Sequence, residues 1–267
     1  MGEKSLSRTA IVIPVFNQSH FTRGCLETLW ADSERPDYDV CVVDNNSSDD
    51  TAELLRDWTA KVQGGRDRFQ VITNATNRGV APAWNQGILA TEAEEVVVLN
   101  NDVLLPRGWA KGLARAKKDL GLTIASPFPL EGEKPGDLDA WADEFMRRNR
   151  REHWREYSFV AFSLSRETFQ KIGPFDEKFE VGGYEDTDYI YRLREKGLAY
   201  GIVGGSTLYH FGSQTLKGFK ERGDAHAVRN KNYFMAKWKM DPALEKKTLA
   251  AKWLRRWRRL KLRCGRM

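Results

Sequence analysis

Apolar runs that end in small polar residues recur through the first half of the chain. Thr9-Ala-Ile-Val-Ile-Pro-Val15, Tyr38-Asp-Val-Cys-Val-Val43, Phe69-Gln-Val-Ile-Thr73 and Glu95-Val-Val-Val-Leu99 are short and rich in β-branched residues. Each predicts a strand, and the nearly unbroken apolar character of most of them predicts burial on both faces. Helical segments stand between them. His20–Trp30 follows Ser19, a suitable N-cap, and a second helix runs from Ala52 to about Lys61 behind the polar run Asp44–Thr51. Gly64-Gly65 ends that helix, and Val80–Ala90 predicts a third. Four β-α units joined by short loops predict a parallel, doubly wound sheet.

Further along the pattern loosens. Trp109–Leu120 predicts a helix and Leu122–Ser126 a strand, but Pro127–Arg155 shows no clear period and reads as a long irregular insertion. Tyr157–Leu164 predicts a strand, Arg166–Ile172 a short helix ended by Gly173-Pro174, and Glu185–Lys196 a helix with Tyr189, Ile190 and Leu193 facing inward. Tyr200–Val203 predicts a last strand leading to Tyr209-His210-Phe211-Gly212, and Asn230–Lys239 and Pro242–Arg263 two terminal helices. There is no internal repeat.

Composition narrows the class. A chain of 267 residues with 41% hydrophobic content forms one large α/β domain with a tail, or two small ones. No stretch approaches the roughly 18–20 apolar residues of a membrane-spanning helix. The opening Met-Gly-Glu-Lys-Ser-Leu-Ser-Arg carries no hydrophobic leader, and Cys25, Cys41 and Cys264 are widely spaced. That favours reduced thiols and a cytoplasmic location, and excludes a cysteine zinc site. The net charge of +6 is concentrated after Glu245, in Lys246, Lys247, Lys252, Arg255, Arg256, Arg258, Arg259, Lys261, Arg263 and Arg266, which leaves the rest of the chain negative. In the last helix Leu249, Trp253, Trp257 and Leu260 form a stripe between basic residues. Such a helix fits a membrane surface, which would place the protein peripherally at the inner face of the membrane. Packing on the main domain or a homo-oligomer interface fits the same stripe. No segment resembles a nucleic-acid module, so no nucleic-acid partner is expected.

The chemistry concentrates where the fourth strand stops, at Asn100-Asn101-Asp102. Ligands of open parallel sheets bind beyond the carboxyl ends of the strands. A carboxylate there suits a hard divalent cation holding a phosphate, although an Asn/Asp turn is an equally good reading of those residues alone.

The wider pattern resembles the family 2 glycosyltransferases of the GT-A fold, which use nucleotide-sugar donors. It is carried, in order, by Ile-Val-Ile-Pro-Val-Phe-Asn17, Val-Val-Asp44-Asn-Asn-Ser-Ser-Asp-Asp-Thr51, Asn77-Arg-Gly-Val-Ala-Pro-Ala-Trp-Asn85, Leu-Asn100-Asn-Asp102, Ile-Gly-Pro-Phe-Asp-Glu-Lys-Phe179, Gly-Tyr-Glu185-Asp-Thr-Asp188 and His210. The resemblance covers about residues 9 to 215. It implies a Rossmann-like, mostly parallel sheet flanked by helices, over residues 1–222. The nucleotide-binding half would be about 9–103, the acceptor-binding half about 104–222, and a basic helical extension would follow over 223–267.

The resemblance also implies roles. Pro14, Val15 and Asn17 would cradle the nucleotide. Asp44, with Asn46 nearby, would hydrogen-bond the imide N–H of uracil or thymine, so a UDP- or dTDP-sugar is expected rather than a GDP-sugar. Asn77, Arg78 and Gly79 would approach the base or diphosphate, and Asn85 the nucleotide sugar. Asn100, Asn101 and Asp102 occupy the place of the family's D-x-D motif, with asparagine replacing its first carboxylate. Asp102 and His210 would then hold the metal beside the donor diphosphate, and an imidazole ligand favours Mn²⁺ over Mg²⁺. Asp186 would be the general base that deprotonates the acceptor hydroxyl, giving inversion, with Glu185 as its orienting neighbour. The acids Glu185, Asp186 and Asp188 also suit a helix N-terminus electrostatically. Trp141, Trp154, Gly183 and Tyr184 are acceptor-binding candidates, the two tryptophans competing with a plain packing role. The expected reaction is transfer to a hydroxyl of a saccharide, lipid-linked or protein acceptor, in cell-surface glycan biosynthesis. The alternatives are a nucleotidyltransferase, disfavoured because Pro14-Val-Phe-Asn-Gln18 is not a glycine-rich phosphate loop, and a degenerate nucleotide-sugar-binding or scaffold protein, suggested by Asn100.

Overall fold

The computed structural model describes residues 8–32, 37–65, 67–212 and 225–240. Its strands are β1 (Thr9–Val15), β2 (Tyr38–Asp44), β3 (Arg68–Thr73), β4 (Glu95–Leu99), β5 (Val103–Leu104), β6 (Ile124–Leu130), β7 (His153–Trp154), β8 (Ala161–Ser165) and β9 (Tyr200–His210). Its helices are α1 (Ser19–Ala31), α2 (Thr51–Val62), α3 (Val80–Ala90), α4 (Trp109–Asp119), α5 (Leu138–Asn149), α6 (Arg166–Ile172), α7 (Glu185–Glu195) and α8 (Ala225–Lys237). The predicted Pro242–Arg263 helix, its Trp/Leu stripe and Cys264 lie outside the described residues.

All the strands join one sheet, ordered β3-β2-β1-β4-β8-β6-β9-β5, with β7 beside β9. Successive strand side chains point to opposite faces, and both faces of β1 are covered. Ile11, Ile13 and Val15 enter a core with Leu26 and Leu29 of α1, Leu54 and Trp58 of α2, and Trp109 and Leu113 of α4. Ala10 and Val12 enter another with Trp84 and Ile88 of α3, Phe169 of α6, and Tyr189 and Leu193 of α7. Burial on both sides is why these strands read as continuous apolar runs rather than alternating ones.

The parallel β-α units end at β4. β8 runs antiparallel to both β4 and β6, and β9 runs parallel to β6. Two reversals therefore restore the direction of β1 and β4, so that β9 ends at the same sheet edge as they do. This topology brings His210 to the strand-end chemistry. β5 completes it by pairing antiparallel with β9, Val103 opposite His210, immediately after Asp102.

Several sequence expectations change. Ser19 is the first residue of α1 rather than its cap, the N-cap being Gln18 at φ 62° with no side-chain cap bond. The segment Pro127–Arg155 is not irregular: it contains the end of β6, helix α5 and strand β7. Asp137 caps α5, its carboxylate accepting from the Ala140 N–H at 3.0 Å. Strand β8 begins at Ala161 rather than Tyr157, and β9 has eleven residues, extending well past Val203. β9 continues through Gly204-Gly205-Ser206-Thr207, and its register against β6 shifts between Pro127 and Phe128. Those glycines carry no hydrophobic signal, but they let helices approach. A Cβ on Gly204 would collide with the Asn149 backbone at the end of α5. The long strand was therefore invisible to periodicity.

Candidate active site

Strands β1, β2 and β3 end in register, Val15 opposite Asp44 and Asp44 opposite Thr73. The loops that follow them are tied together by side chains. The Asn17 N–H donates to Ser47 Oγ (2.7 Å), and the Ser48 N–H donates to Asn17 Oδ1 (2.7 Å). The Ser19 N–H donates to Asp49 Oδ2 (3.0 Å), and the Ser19 hydroxyl donates to Asp50. Asn17, Gln18 and Asn46 all have positive φ, at 55°, 62° and 68°. These left-handed residues turn the backbone sharply where the loops meet, a conformation asparagine tolerates better than most. Pro14 is half-buried and Val15 fully buried at the end of β1, beneath this loop, while Asn46 is exposed.

Asp44 is buried and accepts the Ser47 N–H through Oδ1 (2.9 Å). It therefore shapes its own loop, as a turn residue would. A polar chain behind it was not anticipated. Asn45 donates to the Gly79 carbonyl (3.0 Å) and accepts from Asn74 (2.8 Å), while Asn74 and Gln86 exchange hydrogen bonds at 2.9 Å. Asn45 and Asn74 both follow the ends of neighbouring strands, which is the one signal that pointed to them.

The Asn77–Gly79 turn sits beside this chain. The Gly79 N–H donates to Asn77 Oδ1 (2.9 Å), and exposed Arg78 pairs with Glu177 at 3.5 Å. Gly79 has φ 90°, and a Cβ there would press on Val181. Asn85 departs from its expected role. It is buried, its amide donates to the Phe175 carbonyl and to Glu177, and its Oδ1 accepts from the Phe175 N–H, all within 2.9 Å. Asn85 thus clamps the 173–179 loop instead of facing a ligand.

At the end of β4 the three small polar residues diverge. Asn101 turns inward and donates to Thr22 Oγ1 of α1 (2.9 Å), so it too supports the scaffold rather than the crevice. Asn100 is half-buried at the strand edge, its backbone N–H bonded to the Val160 carbonyl. Asp102 faces His210: Oδ2 lies 3.4 Å from Nε2, and the Phe211 N–H donates to the Asp102 carbonyl (3.0 Å). On the other side of the ring His210 Nδ1 lies 2.8 Å from Glu131 Oε1. Burial alone would lower the imidazolium pKa, but the carboxylates of Asp102 and Glu131 on its two nitrogens push it up to about 9. Glu131 was missed because Pro127–Arg155 lacked a legible strand; it stands directly after β6 at the functional edge.

Among the described residues no group of three or more His, Cys, Asp or Glu side chains is arranged to hold a metal ion unaided. The donor set still fits one that a diphosphate helps to complete. Asp102 and His210 Nε2 face each other, and Glu131 on Nδ1 is the outer partner that metal-ligating histidines ordinarily have.

The second acidic group opens α7. Val181, Gly183 and Tyr184 have φ of 56°, 106° and 76°, and this strained turn delivers Glu185 and Asp186. Glu185 is buried, and among the described residues its Oε2 has no hydrogen-bond partner. Burial first, and the Asp186 charge second, push its carboxyl up to about 8. Asp186 is half-buried and accepts from the Thr187 N–H (2.6 Å) and hydroxyl (3.1 Å). Asp188 differs from both: it is fully buried and bonded to Arg192, Lys237 and Trp238, which makes it an anchor for α8.

Trp141 and Trp154 pack rather than stand open. Trp141 stacks on Phe145 with ring centroids 5.1 Å apart, and Trp154 meets Phe128 at 5.4 Å. Trp154 also pairs with Ile202, early in β9, whereas His210 ends that strand. Both are half-buried against the small cluster of Phe128, Phe145 and Ile202, which accounts for their aromatic signal.

A family model described as glycosyl transferase family 2 matches residues 10–177, more than half of the chain. The chain belongs to glycosyltransferase family 2. A second model, described as N-terminal domain of galactosyltransferase, matches residues 143–213, a span holding Glu185, Asp186 and His210. This chain is 23% identical to the O-antigen biosynthesis protein RfbC of Myxococcus xanthus over 86% of its own length and 19% of that protein. It is 21% identical to glycosyltransferase AglE of Haloferax volcanii, over 81% of this chain and 72% of AglE. A 27% identical relative, validoxylamine A glucosyltransferase of Streptomyces hygroscopicus subsp. limoneus, is matched over 71% of this chain and 48% of its own. The chain thus spans less than two thirds of some of these relatives. Among solved structures, the fold resembles the mannosyltransferase PcManGT from Pyrobaculum calidifontis in complex with GDP-Man and Mn²⁺ (TM-score 0.63, 20% identity, 93% of this chain and 70% of that one). It also resembles GalNAc-T7 with UDP, GalNAc and Mn²⁺ (TM-score 0.62, 18% identity, 88% and 51%). The central mixed sheet flanked by helices is that of GT-A glycosyltransferases.

Proposed function

We propose that this glycosyltransferase moves a sugar from a UDP- or dTDP-sugar to an acceptor hydroxyl, with inversion at the anomeric carbon. The observation that carries the reading is the meeting of Asp102 and His210 at 3.4 Å, on the edge where the loops of Asn17 and Asp44 also end. Nucleotide recognition falls to residues 9–103. Asn17 and its partners Ser47 and Ser48 shape the cradle, and Asp44 offers a carboxylate acceptor that complements a pyrimidine imide. The half from 104 to 222 supplies Glu131, Glu185, Asp186 and His210 for acceptor and catalysis.

Asp102 and His210 would hold a divalent metal, Mn²⁺ in preference to Mg²⁺, with Asn100 as a neutral neighbour. Such an ion, when bound, neutralises charge on the departing diphosphate. Two adjacent carboxyls in unlike surroundings divide the proton work. Asp186, the more accessible, takes the acceptor proton. Glu185, which burial and the Asp186 charge keep protonated near neutral pH, donates a hydrogen bond from its O–H to the acceptor. Gly183 and Tyr184 lie directly before that pair and border the acceptor. The packed tryptophans are not assigned to it. Saccharide, lipid-linked and protein acceptors all present the required hydroxyl, and cell-surface glycan assembly is the expected setting. In the described residues no helix is long and apolar enough to cross a membrane.

The test is a screen of UDP-, dTDP- and GDP-sugars, each with Mn²⁺, Mg²⁺ or EDTA, reading hydrolysis and binding. Metal-dependent hydrolysis of one UDP- or dTDP-sugar, lost in Asp102→Ala, is expected. Selective use of a GDP-sugar would overturn the role of Asp44, and metal-independent turnover would remove Asp102 and His210 from the ligand set.

A further inference from the structure

Helix α8 lies beyond both matched family regions, yet one of its side chains is bonded to the turn that carries the catalytic carboxylates. Asn230 is 1% exposed. Its Nδ2 donates to the carbonyls of Glu180 (2.8 Å), Gly182 (3.2 Å) and Gly183 (3.1 Å), and its Oδ1 accepts from the Glu180 N–H (2.9 Å). One amide group thus engages four backbone groups in a stretch of four residues, its two N–H bonds shared among three carbonyls. A surface turn needs no such partner, because water would serve.

What distinguishes this turn is its conformation. Val181, Gly183 and Tyr184 have φ of 56°, 106° and 76°. A β-branched residue at positive φ is a true outlier, and strain of this kind persists only where surrounding structure over-determines it. Asn230 supplies that restraint from one side. From the other, the Val80 N–H donates to the Val181 carbonyl at 2.8 Å, beside Gly79 of the nucleotide-side turn. The apolar face of α8 reinforces the hold, with Phe234 buried against Tyr184 and Tyr191 at ring-centroid distances of 5.3 and 5.2 Å. The turn ends at Tyr184, and the next residues are Glu185 and Asp186.

We propose that Asn230 is a positioning residue for sugar transfer: it holds the strained 180–184 turn, and so fixes where Glu185 and Asp186 stand relative to the donor. The proposal rests on the reading of those two residues as the catalytic carboxylates. Asn230 itself touches neither donor nor acceptor. Its loss should therefore spare nucleotide binding, which uses loops at the ends of β1 and β2, while turnover falls.

The experiment compares full-length wild type, Asn230→Ala, Val181→Gly and the double variant. It measures UDP affinity with Mn²⁺, turnover of the nucleotide sugar selected by the donor screen, and amide exchange across 180–186. In Asn230→Ala, UDP affinity should stay within about twofold, because the loops after β1 and β2 are bonded to one another rather than to the 180–184 turn. Turnover should fall at least about tenfold, the scale on which small misplacements act. Exchange at 180–186 should quicken while β1 and β2 keep their protection. Val181→Gly removes the side chain that makes the turn unfavourable, so adding it to Asn230→Ala should restore much of the lost turnover. Unchanged exchange at 180–186 would overturn the proposal. So would a loss of turnover that merely follows the fraction of protein able to bind UDP, because Asn230 would then matter only for folding. If wild type transfers no sugar at all, the transferase reading fails separately, and quickened exchange in Asn230→Ala still supports the hold on the turn.

Discussion

Two side chains show how far chemistry depends on immediate surroundings. Glu131 touches His210 Nδ1 and leaves Nε2 toward Asp102. Losing an outer partner of this kind ordinarily weakens metal affinity about 10–100-fold. Glu131→Gln should therefore weaken Mn²⁺ binding by that order in calorimetry or by Mn²⁺ EPR, while UDP binding without metal stays unchanged. Glu185 gives a second prediction. Its carboxyl is raised by burial and then by the Asp186 charge, so carbon-13 NMR should place its titration near pH 8 and find it lower in Asp186→Asn. The sign for stability follows: the folded state holds this proton more tightly than the unfolded chain does. The group's contribution is fully present below the ordinary glutamate pKa and is lost as pH rises through about 8. Asn85 and Asn101 carry the opposite lesson. Both sit in family motifs, and both were expected at the ligand. Their amides instead bond to Phe175 and Thr22, because a motif identifies a residue but not the direction its side chain takes.

At the scale of elements, strand ends were legible and strand partners were not. The runs ending at Val15, Asp44 and Leu99 were evident because burial on both faces leaves an unbroken apolar signature. β9 was half hidden, since its glycines permit close helix approach and carry no such mark. Helix α8 was anticipated as a helix, but its docking was not. Besides the Asn230 amide, three acids supply polar links: Glu180 bonds Arg229 and His226, Asp176 bonds Lys237 and Tyr233, and Asp188 bonds Lys237 and Trp238. Hydrogen bonds from Arg229 and then His226 pull the Glu180 carboxyl down to about 2. For Asp176, burial acts upward but is outweighed by its bonds to Lys237, the Lys178 N–H and Tyr233, and its carboxyl too is lowered. A depressed carboxyl stabilises above its unfolded pKa and ceases to do so as pH falls through the folded value. Amide protection in α8 should accordingly decline between about pH 4.5 and 2, earlier than protection in β1 and β2. Equal loss in all three would show that α8 is not a separately held element.

At the scale of the whole molecule, the candidate metal ligands come from opposite sides of the two strand reversals. Asp102 follows β4, and His210 ends β9, across β8 and β6. A diphosphate engaging the loops after β1 and β2 together with a cation at Asp102 and His210 would bridge these regions. Ligands that bind only the folded state stabilise it by about 2.7 kcal/mol at a hundredfold excess over Kd. UDP with Mn²⁺ should therefore raise the melting temperature more than the separate effects of UDP and Mn²⁺ combined. In His210→Ala the combination should give no more than UDP alone.

The sequence by itself determined the α/β class, the order of strands and helices through β4, and the motif residues of a family 2 glycosyltransferase. Those features follow from local rules: β-branched runs, caps, glycine breaks and polar residues at strand ends. The pairing of His210 with Asp102 was implied by the family resemblance, but tertiary structure alone decided its route, through a β8 that turns antiparallel. It also decided that Glu131 stands behind that histidine, that Trp141 and Trp154 belong to a core, and that Asn230 reaches back to the 180–184 turn. Each of these depends on a pairing between distant segments, whose closeness is set by competition among all possible packings and leaves no period in the chain.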